Sequence, residues 1–359
     1  MRKKSIKKVI VSVLSVGILL SMSACGNSGE STGAAASTNG EGSADTSVTT
    51  VAAPETSGKT YELKLSTVLT DTDPIVLGLN KLAEDMNSAT NGAVKIEVYP
   101  SSLLGDTADV LEQAKSGSNV GVIIDTGMLA DYVPDMAIYT GPYIFNSVDN
   151  ARAFIDTDIF KGWDDQLASN GLRDLGCNWY QGARNFWTNT KITTPEDLKG
   201  IGVRTMGSQV AQESMAAMGA TPTTLAWSEC YSGLQSHVID AVEAQTTAVY
   251  GASLQEVTKY CAETEHFLLY TGLVISEDWY KTLPDEYKTL LKEKSIEAGD
   301  YATELTLEAE KKFNAEMADE AGIEFVEVDK ALFKAASEKV YESMGWTQLK
   351  ADIDTALGQ

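Results

Sequence analysis

The sequence predicts a two-lobed α/β protein in which one long helix lies across both lobes. Three observations indicate this fold. Strand-like and helix-like segments alternate from residue 61 onwards, the alternation starts again in the middle of the chain, and helical spacing of apolar residues continues for nearly forty residues after Pro284. Such alternation is typical of a sheet covered by helices on both faces. The body, residues 61–359, is long enough for two packed lobes rather than one small core.

The first lobe is predicted to begin with three strands and two helices. YELKLSTV alternates apolar and polar residues at 61–68, and the break TDTDP after it starts a helix that runs to about Ala89. The strand VKIEVYP, closed by Pro100, and a helix from about Asp106 to Ser116 follow. VGVIID then has the length and the continuous apolar character of a buried strand.

The middle of the chain repeats this order of elements. After GLRDLGCNWY and the turn-like TNTKITTPEDLKG, we expect the strand IGVRT, a helix to about Met218, the segment TPTTLA, a helix through CYSGLQSHV and the strand IDAVEAQ. A second lobe of the same construction is the simplest interpretation. We assign residues 61–181 plus 270–309 to lobe I, and residues 182–269 plus 310–359 to lobe II.

A long helix is predicted from Pro284 to Gly322. Proline at the first position and acidic residues in the first turn favour a helix start, and glycine is a natural stop. At 1.5 Å per residue this helix is about 55 Å long, which exceeds one lobe. A coiled coil is the alternative, but the apolar spacing drifts too much for sustained heptads.

The N-terminus has the layout of a secretory signal peptide, with positive charges followed by the apolar run VIVSVLSVGILL. The segment Met22–Gly26 resembles the lipobox at which bacterial lipoproteins are cleaved and acylated, which predicts a signal peptide at 1–24 and a lipid on Cys25. An ordinary cleavage site with an incidental cysteine is the alternative. Residues 25–60 are predicted to be the lipidated cysteine and a disordered linker with a reach of roughly 30 Å.

Charge and cysteine content exclude several classes of function. The formal net charge is −23, and removal of the signal peptide with its five positive charges makes it near −28, which disfavours nucleic acid and anionic lipid surfaces as partners. A locally positive pocket for an anion is still compatible with this charge. Cys177, Cys230 and Cys261 are interpreted as buried free thiols, with a single disulfide as the alternative.

We find no motif for catalysis or for a cofactor. The sequence contains no phosphate loop, no G-x-S-x-G elbow, no H-E-x-x-H and no dinucleotide fingerprint after a first strand. His237 and His266 are too few and too far apart for a usual zinc site. Cys230 and His237 could share a helix face as nucleophile and base, but a buried thiol beside an exposed histidine is the better interpretation.

Four short motifs follow one another between Asp197 and Gln245: DLKGIGVR, MGATPTT, SECYSGLQ and DAVE. Their order resembles the solute-binding proteins of tripartite ATP-independent periplasmic (TRAP) transporters, the DctP family. VYPSSLLGD and VPDMAIYTGPYIF resemble two further segments of that family. The resemblance implies a periplasmic-binding-protein-like fold of class II type, which closes over a small organic acid by a hinge motion, with no cofactor and no catalysis.

The resemblance also implies a carboxylate site at Arg204. In that family an arginine forms a bidentate bridge to the ligand carboxylate, and Arg204 is the matching residue. A guanidinium group suits this role because its planar fork fits a carboxylate and stays charged when partly desolvated. Arg204 lies where IGVRT ends against a helix start, whose amides add positive potential. An exposed structural arginine is the alternative.

Four further ligand residues follow from the resemblance. Arg184 matches the arginine that assists the first, and Trp227 stands where the family has an aromatic residue on the ligand, although a core tryptophan is the alternative. Glu243 belongs to the DAVE motif. Gln245 stands where the family often has Asn-Pro, so the amide contact is lost or moves to Gln245, and the solute can differ from the best-known ones.

Loops at the carboxyl ends of the first strands are expected to complete the site, because open α/β sheets bind ligands there. They are Thr70 to Asp73, Asp106, and Thr126 after VGVIID, of which Asp73 and Thr126 are taken as ligand residues. Simple solvation of the acidic loop residues is the alternative.

The predicted function is therefore that of an extracytoplasmic receptor, held on the outer face of the cell membrane only by its lipid. It would deliver its solute to a large and a small TRAP membrane subunit for ion-coupled uptake. A receptor of a signalling system and an exported hydrolase are the alternatives. Sugar acids, dicarboxylates, keto acids and aromatic acids all remain open as solutes.

Overall fold

Strands and helices alternate through residues 58–359, the part of the chain that the computed structural model describes. The strands of this part are β1 (Tyr61–Ser66), β2 (Val94–Tyr99), β3 (Val120–Asp125), β4 (Leu172–Asp174), β5 (Trp179–Thr188), β6 (Gly202–Thr205), β7 (Thr221–Thr224), β8 (Ala241–Gln245), β9 (Tyr260–Ser276) and β10 (Glu324–Val326). Its helices are α1 (Pro74–Ala89), α2 (Thr107–Lys115), α3 (Val148–Phe154), α4 (Asp158–Ser169), α5 (Gln209–Met218), α6 (Cys230–Gln235), α7 (Thr246–Gly251), α8 (Glu277–Lys281), α9 (Asp285–Glu316), α10 (Lys330–Ser337), α11 (Lys339–Ser343) and α12 (Thr347–Leu357).

The predicted signal peptide, the lipidated Cys25 and the linker up to residue 57 lie outside the described residues. Within them, no helix is both long and apolar enough to cross a membrane.

The described strands form one mixed sheet in the order β2-β1-β3-β9-β5-β8-β6-β7, and β4 and β10 also pair with β9. β1 pairs in parallel with β2 and β3, and β6 pairs in parallel with β7 and β8. β5 is antiparallel to both β8 and β9. The α/β class predicted from the alternating segments is confirmed, and the predicted strands and helices around β1, β2, β3, β6 and β8 are present within a few residues.

Strand β9 joins the two halves of the sheet and was not predicted. Its 17 residues pair antiparallel with β3 through Thr271–Ile275 and with β5 through Tyr260–Thr271. Glu263, Glu265 and His266 interrupt the first half of the strand, so no simple apolar pattern marks it in the sequence. An isolated strand of this length would be unusual, and only pairing with neighbours along its whole length stabilises it.

The long helix α9 is present as predicted. Pro284 is its N-cap rather than its first helical residue, and after Glu316 it continues as a short π-helical turn, Met317–Ala321, that ends at Gly322 with φ 72°. Leu291 packs in the core beneath α1, whereas Met317 packs in a different core cluster beside β8. The helix therefore spans the cores on both sides of the sheet's centre.

The C-terminal helices return to the first half of the molecule. Tyr341 and Ile353 are buried in one apolar cluster with Phe154 and Tyr139, and the Tyr341 hydroxyl donates to the carbonyl of Pro142 at 2.7 Å. Residues 310–359 were assigned to lobe II, so this segment contacts both predicted lobes, and the exact division of the chain into lobes stays a prediction.

Candidate functional site

A cavity of about 360 Å³ lies where β1, β3, β6 and β8 end. Thr67, Asp125, Met206 and Gln245, each at or just after the carboxyl end of one of these strands, line it. This is the position at which α/β sheets commonly bind ligands. Its volume is at the lower end of the range for small-molecule sites, which suits a small solute.

Arg204 is buried in the cavity wall, with no counter-ion among residues 58–359. It is 8% exposed, and its Nε donates to the carbonyl of Leu225 at 2.9 Å. Among the ion pairs formed by residues 58–359, none involves Arg204. Burial lowers its pKa, and the nearby Arg184 adds to this effect, but a guanidinium group keeps its proton at physiological pH. The site therefore holds a desolvated positive charge that an anion can neutralise.

Trp227 lies beside Arg204 and lines the cavity. The guanidinium carbon of Arg204 is 5.3 Å from the centroid of the indole ring, a distance at which a cation–π attraction operates. Trp227 is half-buried and also packs against two of the apolar core clusters. The indole ring of Trp227 contacts one side of the Arg204 guanidinium group, and the terminal nitrogens of Arg204 can bind other partners.

Arg184 also lines the cavity, but its guanidinium group makes four hydrogen bonds to residues of β8. Its Nε and Nη2 donate to the two carboxylate oxygens of Glu243 at 2.5 and 2.8 Å. Nη2 also donates to the Glu243 carbonyl, and Nη1 donates to the side-chain oxygen of Gln245, both at 2.7 Å. The antiparallel pairing of β5 with β8 places Arg184 directly opposite Gln245, which explains this geometry.

Glu243 lies behind Arg184, completely buried and away from the cavity lining. Burial by itself would raise the pKa of its carboxyl, but Arg184 and His266 lower it to about 2. The Thr205 hydroxyl donates to Oε1 at 2.8 Å, and His266 Nε2 is 3.5 Å from Oε2. Burial lowers the pKa of His266, so its imidazole is neutral near pH 7. Glu243 thus acts on the site only through Arg184.

A chain of side-chain amides continues from Arg184 across the cavity floor. Gln245 Nε2 donates to Gln181 Oε1 at 2.8 Å, and Gln181 Nε2 donates to the Thr271 hydroxyl at 3.1 Å. All three side chains line the cavity. Gln181 and Thr271 were not predicted, because β5 and β9 approach each other only in the folded sheet.

Besides Glu243, two more of the predicted ligand residues lie outside the cavity lining. Asp73 is the N-cap of α1, where its Oδ1 accepts the Ile75 amide at 2.9 Å. The hydroxyl of Thr126 is within hydrogen-bond distance, 3.0 Å, of the Thr140 hydroxyl. Its neighbour Asp125 lines the cavity instead. Successive side chains at the end of a strand face opposite sides of the sheet. If Asp125 faces the cavity, its neighbour Thr126 therefore faces away from it.

Cys230 and His237, which were considered as a nucleophile and its base, do not form a catalytic pair. Cys230 is buried on α6, and His237 is exposed in the turn after that helix. Within residues 58–359, Cys177, Cys230 and Cys261 are buried and form no disulfide, in agreement with their interpretation as buried thiols. Residues 58–359 contain no group of three or more histidine, cysteine or acidic side chains that could hold a metal ion.

Comparison with known proteins assigns a family to this arrangement. Residues 65–348 match the family described as bacterial extracellular solute-binding protein, family 7, or DctP. The C4-dicarboxylate-binding periplasmic protein DctP of Rhodobacter capsulatus is 30% identical over 77% of this chain and 83% of its own length. The 2,3-diketo-L-gulonate-binding periplasmic protein YiaO of Escherichia coli is 28% identical over 74% of this chain and 81% of its own.

Solved structures agree in fold as well as in sequence. A TRAP periplasmic solute-binding protein of Ochrobacterium anthropi with bound L-fuconate is 33% identical, covers 83% of this chain and 99% of its own, and has a TM-score of 0.80. An apo open structure of the corresponding type from Escherichia fergusonii is 40% identical over 82% and 99%, with a TM-score of 0.73. The fold is the two-lobed periplasmic-binding-protein fold of these structures.

Proposed function

Because this chain belongs to the DctP family of TRAP periplasmic solute-binding proteins, we propose that it is an extracytoplasmic receptor that binds a small organic acid through Arg204. The receptor delivers the acid to a large and a small TRAP membrane subunit. It performs no chemistry on its solute.

The observation that carries the proposal is the buried charge of Arg204 in the cavity wall. Arg184 and Glu243 neutralise each other, whereas Arg204 has no carboxylate partner within residues 58–359. A buried charge is costly unless it is paired, so a ligand carboxylate gains both Coulomb energy and hydrogen bonds there. Charge-assisted bidentate bonds of this kind are among the strongest that a protein offers.

Hinge closure over the solute is part of the proposal, and two close approaches support it. A Cβ atom at Gly127, after β3, would lie 2.7 Å from the Cβ of Ser208, before α5. A Cβ atom at Gly251, at the end of α7, would lie 2.7 Å from the Thr70 hydroxyl. Each pair joins residues assigned to different lobes.

Attachment to the membrane through a lipid on Cys25 is a separate part of the proposal. It is supported by the apolar run and by the small residues that precede Cys25. Incorporation of labelled palmitate into the wild-type protein but not into Cys25→Ser tests it. Equal labelling of the two proteins would remove the anchor from the proposal and leave the receptor function in place.

The test of the carboxylate site is the affinity of Arg204 variants for an acid identified by thermal shift with a carboxylate library. Arg204→Ala and Arg204→Lys should weaken binding by about 100-fold or more, equivalent to roughly 3 kcal/mol, because a desolvated ion pair is lost or loses its second hydrogen bond. Lys199→Ala is the matched control, since Lys199 is an exposed cation near the same strand. Unchanged affinity in both Arg204 variants would refute the proposal.

A further inference from the structure

Two acidic side chains share the cavity with Arg204. Asp125, the last residue of β3, lines the cavity, is 6% exposed, and has a buried Oδ1 with no hydrogen-bond partner within residues 58–359. Asp106, the N-cap of α2, lines it as well. Neither aspartate forms an ion pair with a side chain of the described residues.

The charges of the cavity leave room for one ligand carboxylate only. Arg184 and Arg204 are the cationic side chains of the lining, and Glu243 already neutralises Arg184. One carboxylate on the solute satisfies Arg204. A second carboxylate would find no free cation among the lining residues and would be repelled by Asp106 and Asp125, with its own desolvation uncompensated.

Asp125 needs a hydrogen-bond donor rather than an anion. Burial raises its carboxyl pKa to about 6, although the charge of Arg184 and the backbone amides of Gly127 and Met128 oppose this shift. A buried acceptor without a partner destabilises the protein, and a hydrogen-bond donor on the solute would relieve this.

We propose that the cavity selects hydroxylated monocarboxylates and rejects dicarboxylates, with Asp125 as the residue that accepts a solute hydroxyl and repels a second carboxylate. This inference rests on the proposed function, because it takes Arg204 as the site of the first carboxylate. It separates this receptor from its relative in Rhodobacter capsulatus, which is named for binding C4-dicarboxylates.

The test compares acids that differ only by oxidation of the terminal carbon. Galactonate with galactarate, gluconate with glucarate, and glycerate with tartronate are such pairs. Thermal shift and calorimetry on the purified full chain should show binding of at least one hydroxylated monoacid, with its diacid partner at least tenfold weaker. A diacid that binds as tightly as its monoacid partner, or the absence of binding to every monoacid, would overturn the inference.

The variant Asp125→Asn tests whether Asp125 is the residue that produces the selectivity. The variant should reduce the preference for the monoacid over its diacid partner by about tenfold, because the repulsive charge is removed while an acceptor oxygen remains. A purely structural role of Asp125 would weaken both acids equally and leave their ratio unchanged, which contradicts the inference. Asp135→Asn is the control, since it removes an equal charge from the exposed surface.

The two proposals fail in different ways. If a diacid binds tightly and Arg204→Ala abolishes its binding, only the selectivity inference is wrong. If solutes bind equally well to wild type and to Arg204→Ala, the carboxylate site itself is wrong.

Discussion

Two arginines line the same cavity, and their surroundings give them different tasks. On β5, Arg184 makes two bonds to the Glu243 carboxylate and one to Gln245, so its charge is neutralised inside the protein. On β6, Arg204 donates to the Leu225 carbonyl and lies beside the Trp227 ring, and it forms no ion pair within residues 58–359. The difference indicates that an arginine neutralised inside the protein stabilises the fold and positions its neighbours, whereas an arginine without a counter-ion is available to bind an anionic ligand. We expect the following experiments to show whether the two arginines have different roles or the same role.

The largest expected effect is on stability, and it distinguishes the two arginines directly. Arg184→Ala should lower the free energy of unfolding by about 3–5 kcal/mol, because it leaves the buried Glu243 carboxylate without its counter-ion. Arg204→Ala should change it by less than about 1 kcal/mol or should stabilise the ligand-free protein, since an unpaired buried charge is removed. Urea denaturation of the two variants without ligand measures this. Equal losses would mean that Arg204 is also a structural arginine.

The loss of unfolding free energy at acidic pH should depend on the Arg184–Glu243 ion pair. The folded pKa of Glu243, about 2, is below its ordinary value of 4.5, so the stability it contributes is present above pH 4.5 and is lost as pH falls towards 2. A shift of this size corresponds to about 3 kcal/mol. The difference in unfolding free energy between wild type and Glu243→Gln should therefore shrink as pH falls from 5 to 3. A difference that is constant with pH would show that the pair is not ionic.

Closure around Arg204 should depend on Gly127. In Gly127→Ala the new methyl group meets Ser208 and Asp125, so closure should be impeded and solute affinity should fall by about tenfold, or about 1.4 kcal/mol. Gly162→Ala is the control, because a Cβ atom there has open space. Calorimetry with the identified acid measures both variants, and wild-type affinity in Gly127→Ala would argue against contact between these edges in the bound state.

The smallest expected effect concerns a buried carboxylate that has no arginine. Burial raises the pKa of Asp73 to about 6, while the Ile75 amide and Thr247 oppose the shift. Its folded pKa lies above 3.8, so the stabilising protonated form is present at low pH and is lost as pH rises through 6. Asp73→Asn keeps the helix cap and should stabilise the protein by about 1 kcal/mol at pH 7.5 but not at pH 4.5. Thermal unfolding at the two pH values tests this, and an equal change at both would contradict it.

Much of the fold was predictable because local signals agreed with the final structure. The alternating and apolar runs around β1, β2 and β3, and the acidic start and glycine stop of α9, are local features. The central strand β9 was not predictable, since only its pairing with β3 and β5 makes one strand of its 17 residues. The return of α11 and α12 to the core of the first half also depends on long-range contacts.

For the candidate site, the sequence by itself determined which chemical groups are available: an arginine near a strand end, a second arginine and a neighbouring aromatic ring. The tertiary structure alone decided which groups face the cavity. It placed Asp125 rather than Thr126 in the wall, used Asp73 as a helix cap and put Glu243 behind Arg184. The physical reason is that charge, burial and hydrogen-bond partners are properties of the packed strands. Residue type alone therefore cannot tell the neutralised arginine from the free one.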